Sequence, residues 1–132
     1  MIQEIFLKRA YNIRKEYLGI RNNIDDYEKN VKLLLKTLED KSVDLQDLKD
    51  KIDTNKIHDP EMAKFELLKI MMELEDEINK NDGYINKLNT NIDKLQEDEV
   101  SLFRDIKQRY PEMSDQDIKK EVQDYIKKLN LS

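Results

Sequence analysis

The stretch DTNKIHDPEM, residues 53–62, interrupts a long helical pattern and contains the only histidine of the chain, His58. Asp59 can accept a hydrogen bond from a free amide at a helix N-terminus. Pro60 suits a first helical turn because the amide that it lacks would be unpaired there. The stretch therefore predicts a turn over residues 55–59, followed by a second helix.

His58 and its neighbour Asp59 could instead form half of a catalytic or metal site. The chain has one histidine and no cysteine, so no residue of either type is left to complete a zinc site. We therefore interpret His58 as an exposed residue of the turn. The sequence leads us to expect no metal and no cofactor.

Apolar residues recur in alternating steps of four and three on both sides of this turn. Such a repeat keeps one seam of a helix against a partner helix, and a short connection requires the two helices to be antiparallel. We therefore expect an all-α fold: a long antiparallel two-helix coiled-coil hairpin over residues 1–110, with helices at about 2–54 and 60–109. The seam positions are Phe6, Ala10, Ile13, Tyr17, Ile20, Ile24, Tyr27, Val31, Leu34, Leu38, Lys41, Leu45, Leu48 and Ile52, then Leu67, Met71, Leu74, Ile78, Asn81, Ile85, Leu88, Ile92, Leu95, Glu99, Leu102 and Ile106.

Two registers satisfy this pattern. Facing residues carry numbers that add to 119 in one register, as for Ile13 with Ile106, and to 112 after a slip of one heptad. The polar seam positions Lys41, Asn81 and Glu99 are of the kind that costs stability and specifies register. The repeat by itself does not choose between the two registers.

Asn81-Asp82-Gly83 is the best candidate for a break within the second helix, since all three are turn residues. Ile78 and Ile85 nevertheless keep the heptad phase across it. We therefore expect a continuous helix that is locally soft.

A short C-terminal amphipathic helix is predicted within residues 111–132. The preceding helix should end near Tyr110-Pro111, because a residue before proline is pushed out of helical geometry. Ser114 with Asp117 approximates a capping box. The apolar stripe of the new helix should pack at the open end of the hairpin; it consists of Ile118, Val122, Tyr125, Ile126 and Leu129.

A second apolar stripe lies outside the seam in the sequence MAKFELLKIMMEL, residues 62–74. Phe65, Leu68 and Met72 fall roughly 125° around the helix from the seam, at about 100° per residue. The third helix follows residue 110, which is about 60 Å from residue 68 along a straight helix, so it cannot easily cover these residues. We expect these three residues to form a protein interface, as exposed apolar clusters commonly do.

Basic residues cluster at the open end of the hairpin, whereas residues 39–77 hold 13 acids and six lysines, a net charge of −7. With nearby tyrosines, such a patch could follow the phosphates of a nucleic acid. The net charge of −5 for the whole chain opposes this at long range. The patch consists of Lys8, Arg9, Arg14, Lys15, Arg104, Lys107 and Arg109.

The sequence offers little for catalysis, since it contains no glycine-rich phosphate loop, nucleophile elbow or paired histidines. It also has no apolar run as long as a membrane span. We expect a non-enzymatic scaffold or adaptor that is cytoplasmic, or virion-associated if it is a phage assembly factor. Its partner would be a second copy or another protein, not a small-molecule substrate or a membrane. The alternative is a nucleic-acid accessory protein acting through the basic patch.

Overall fold

A computed structural model describes residues 1–53 and 59–129. It contains three helices in these ranges: α1 (Glu4–Asp53), α2 (Pro60–Arg109) and α3 (Asp115–Lys128). The long helices α1 and α2 pack against each other as an antiparallel hairpin, and the described ranges contain no strand. This confirms the predicted fold class. His58 and all but the last residue of the turn predicted at 55–59 lie outside the described residues.

Contacts divide the chain into two compact units. The first comprises Met1–Asn23 and Lys87–Ser132, and the second comprises Ile24–Asn86. The domain boundary predicted after residue 110 separates the two long helices from α3. The contacts group α3 with the start of α1 and the end of α2.

The core of the first unit draws on all three helices. Ile106 of α2 and Ile118 of α3 are fully buried. Fully burying a side chain of this size contributes about 1.5–3 kcal/mol to stability. Burial of apolar side chains therefore holds α3 in place, as it does the two helices of the hairpin. The buried members of the core are Ile2, Ala10, Leu102, Ile106 and Ile118, surrounded by partly buried residues that include Phe6, Leu7, Phe103, Val122 and Ile126.

The second unit has a thinner core, because only two helices contribute to it. Ile24 and Ile78 are buried there, and Tyr27 lies against Tyr84 with their ring centroids 5.2 Å apart. Most other seam positions of this unit are only half-buried. The hairpin therefore protects its seam here while leaving the outer faces of both helices in solvent.

The start of α1 is capped by distant residues. The Ile2 amide donates to the Glu121 carboxylate at 2.9 Å, and the Gln3 amide donates to the Tyr110 hydroxyl at 2.9 Å. These bonds satisfy two amides that precede the helix, which begins at Glu4, close to the start expected at about residue 2. The Phe6 and Tyr110 rings also meet edge to face, with 6.3 Å between centroids.

The predicted N-terminal caps of α2 and α3 are both present. The Asp59 carboxylate accepts from the Met62 amide at 3.2 Å. The Ser114 hydroxyl accepts from the Asp117 amide, also at 3.2 Å. Each cap satisfies one of the free amides with which a helix begins.

Helix α2 is continuous through Asn81-Asp82-Gly83, which confirms the expectation of an unbroken helix. Asn81 is 6% exposed, and its side-chain amide donates to the Glu77 carbonyl at 2.8 Å. Apart from its chain neighbours and the adjacent backbone of α2, a Cβ added at Gly83 would meet no atom of the described residues within 4 Å. The glycine is therefore compatible with the helix without being required by its neighbours.

Contacts between α1 and α2 identify the register of the hairpin: it is the one in which the numbers of two facing residues add to 112. Arg9 and Asp105, whose numbers add to 114, form an ion pair at 3.0 Å. Tyr27 and Tyr84, whose numbers add to 111, are in ring contact. Both pairs lie one or two residues from the 112 register and at least five from the 119 register.

Candidate protein-interaction surfaces

The apolar stripe consists of Phe65, Leu68 and Met72 on the outer face of α2. Phe65 and Met72 are each 65% exposed, and Leu68 is 39% exposed. The neighbouring seam residues Leu67 and Met71 are half-buried. This segment of α2 therefore presents large apolar side chains beyond those that the hairpin uses.

Acidic residues flank the apolar stripe along the same face of α2. At about 100° per residue, Glu61, Glu75 and Asp76 fall within about 55° of the stripe centre. All three are exposed. Residues 61–77 contain six acids and two lysines, a net charge of −4. A partner of this face would need an apolar surface surrounded by positive charge.

The seven residues of the predicted basic patch all belong to the first unit, but several of them already contact acids. Arg9 pairs with Asp105 at 3.0 Å, Lys8 with Glu4 at 3.9 Å, and Lys107 with Asp115 at 3.7 Å. The Lys107 ammonium also donates to the Met113 carbonyl. These contacts partly neutralise the patch.

The remaining members of the patch are Arg14, Lys15, Arg104 and Arg109. The Arg14 guanidinium lies 5.4 Å from the centroid of the Tyr17 ring. Lys15, Arg104 and Arg109 are exposed, and within residues 1–53 and 59–129 none of the three has an ion-pair partner. The number of patch side chains whose positive charge is not compensated by an acid is therefore smaller than the sequence suggests.

An open groove lies between the three helices of the first unit, with a volume of about 1400 Å³. The sequence does not predict this groove, because the pattern of α3 places its apolar stripe in the core alone. Val122 and Ile126 of α3 do pack against the core, but both remain partly exposed. Apolar residues that line the groove include Ile13, Tyr17, Leu102, Phe103, Val122 and Ile126.

Positive charge predominates around the groove. Two acids, Glu99 and Asp115, also line it, so the five lining cations leave a net charge of +3. The Lys119 ammonium lies 6.0 Å from the centroid of the Phe103 ring, above the apolar lining. The cations are Arg14, Arg104, Lys107, Lys119 and Lys127.

Two further features, a metal cluster and a membrane span, can be assessed for the described part of the chain. Within residues 1–53 and 59–129, no group of three or more acidic or histidine side chains is arranged to hold a metal ion. No helix in these ranges has an apolar stretch long enough to cross a membrane. Comparison of the chain with protein-family models, curated proteins and solved structures finds no match.

Proposed function

We propose that this protein is a non-enzymatic coiled-coil scaffold or adaptor that assembles with itself or with a protein partner. The observation that carries the proposal is the apolar stripe on the outer face of α2. Its three side chains lie on one helical face, outside the seam that pairs α2 with α1. A phage or viral assembly factor is one form of this function, suggested only by the small size and acidity of the chain.

The energetics of the stripe favour an interface. Burying a side chain of this type contributes about 1.5–3 kcal/mol, so three on one face give a substantial drive to associate. Single exposed apolar residues are common on protein surfaces and need no explanation, whereas a contiguous group does. The acids beside the stripe would then favour a partner whose surface carries positive charge.

The decisive variant replaces Phe65, Leu68 and Met72 together with serine. We expect its dissociation constant for assembly to rise by about tenfold or more, because each tenfold corresponds to only about 1.4 kcal/mol. Sedimentation velocity across a concentration series measures this constant for self-association. Titration against a purified partner measures it for a heterologous complex.

A matched control replaces Leu33, Leu35 and Val43 with serine. These residues are 64%, 50% and 57% exposed, but at helical spacing they do not form one stripe on α1. The control should assemble as the unchanged protein does. If the stripe variant assembled as well as this control, the proposed interface would be wrong.

A further inference from the structure

We propose that the apolar stripe of one copy docks in the groove of a second copy. The inference rests on the proposed function and assigns its partner: another molecule of this chain, bound head to tail. Stripe and groove have no residue in common, so every copy carries both surfaces.

The two surfaces match in apolar character. Phe65, Leu68 and Met72 are spaced i, i+3 and i+7, the spacing by which a helix lays one face into an apolar groove. Between α2 and α3 the groove offers Phe103, Val122 and Ile126, among others. Docking would remove both sets of side chains from water.

The two surfaces also match in charge. Residues 61–77 carry a net charge of −4, whereas the charged residues lining the groove sum to +3. Among the described residues, Arg104 and Lys127 of the groove have no ion-pair partner within the chain. Glu75 and Asp76, at one end of the stripe, are suitable partners for them. Complementary charge of this kind favours the correct partner and speeds its encounter.

Charge also argues against pairing of two stripes with each other. A symmetric contact would bring Glu61, Glu75 and Asp76 of one copy towards the same acids of the second copy. Like charges that meet across an interface disfavour it. The groove offers the opposite sign, so the head-to-tail contact is the one that the charges support.

A head-to-tail contact leaves one groove and one stripe free in every dimer. Such heterologous contacts repeat, giving a ring if the rotation closes and a filament if it does not. Assembly should therefore continue beyond a dimer as concentration rises. High salt should weaken it, because the ion pairs at the rim would be screened.

A charge-exchange experiment tests this contact. One protein carries R104E and K127E in the groove, and a second carries E75K and D76K beside the stripe. We expect each protein alone to self-associate about tenfold or more weakly than the unchanged chain, since like charges then face each other. Mixing the two should restore assembly, because acidic groove then meets basic stripe and basic groove meets acidic stripe.

The matched control carries K87E and K94E, which make the same charge change on exposed lysines of α2 that do not line the groove. Circular dichroism should show unchanged helix content for all three proteins. If the groove variant alone assembled as the control does, the groove would not be the binding surface and the proposal would be overturned.

A disulfide experiment reports the same contact without charge changes. The chain has no cysteine, so L68C and Q123C each create a single reactive thiol. We expect the mixture of these two variants to cross-link far more than either variant alone. Cross-linking of L68C to itself at the level of the mixture would indicate paired stripes and overturn the proposal.

These outcomes separate the inference from the function on which it rests. If the stripe serine variant loses assembly while the groove variant assembles as its control does, the scaffold function stands and the groove is not its partner. If the unchanged chain stays monomeric at high micromolar concentration, docking between copies is overturned. The scaffold function is then tested by titration against a purified partner that is a different protein.

Discussion

At the scale of single residues, the start of α1 depends on groups that come from the far end of the chain. Tyr110 accepts from the Gln3 amide, and Glu121 accepts from the Ile2 amide. Each bond pairs an amide that the helix itself leaves without a partner, and such a bond adds to the stability of the fold. The first turn of α1 and the docking of α3 should therefore be coupled.

Replacing Tyr110 with phenylalanine tests this coupling. The ring contact with Phe6 is kept, while the acceptor for the Gln3 amide is lost. We expect the free energy of unfolding to fall by about 0.5–1.5 kcal/mol, as for removal of one hydrogen bond. Chemical denaturation followed by circular dichroism measures the change.

The control for this variant is Y84F. Tyr84 is also in ring contact, and within the described ranges its hydroxyl has no hydrogen-bond partner. Removal of that hydroxyl should leave the stability almost unchanged. An equal loss in the two variants would contradict the capping role of Tyr110.

The hydrogen bonds that cap a helix could be predicted from the sequence where the two bonded residues are close along the chain. The caps by Asp59 and Ser114 each join residues three positions apart, and local sequence preferences are enough to identify them. The bonds that cap α1 join residues 107 and 119 positions apart. Their existence depends on tertiary packing, which no local pattern encodes.

At the scale of helices, the heptad pattern identified the hairpin but not its register. A slip of one heptad places apolar residues against apolar residues again, so the repeat alone cannot distinguish the two pairings. The cap at Asp59 supplies a signal that could have decided the question. A sum of 119 centres the connection at the boundary of Asp59 and Pro60, where α2 begins. A sum of 112 centres it about midway between Asp53 and Pro60.

Asn81 is the buried polar residue of the seam. Lys41 instead keeps its ammonium near solvent, 3.8 Å from Asp44, and Glu99 is exposed. A buried asparagine at a seam position commonly costs stability while it specifies register. Its side-chain amide bonds to its own helix, so within the described residues no bond to α1 offsets that cost.

Replacing Asn81 with leucine should raise stability by about 1 kcal/mol, because an apolar side chain is then buried in the seam. The midpoint of urea unfolding measures this gain. Asn91 is exposed on the same helix and lies outside both the seam and the stripe, so N91L provides the control for helix propensity. If N91L gained as much as N81L, the position of Asn81 in the seam would carry no cost.

At the scale of the whole molecule, charge and apolar surface are unevenly distributed. The acids concentrate in residues 39–77, whereas five of the seven charged residues that line the groove of the first unit are cations. The sequence revealed this polarity and the stripe, because both can be read along one helix. It did not reveal the groove, which exists only where three helices meet.

This charge distribution also bears on the alternative of nucleic-acid binding. Several patch residues contact acids, and the chain as a whole carries −5. We expect no binding of single- or double-stranded DNA or RNA at physiological salt, since phosphate binding depends on cations that are free to replace counterions. Fluorescence anisotropy over a salt series measures it.

The outcome that would favour the alternative is binding that falls steeply with salt. It should then be lost in the variant K15E/R109E, which changes two exposed cations of the patch. Loss of binding in that variant, with helix content unchanged, would assign the basic patch a role that the assembly proposal does not include.

The empty space around Gly83 has a mechanical consequence. Glycine in the middle of a helix costs roughly 1 kcal/mol relative to alanine, yet no neighbour here forbids the larger side chain. The bending stiffness of α2 at this point is thus free to vary without disturbing any packed atom. Exchange of this glycine for alanine would therefore stiffen α2 and displace no neighbouring side chain.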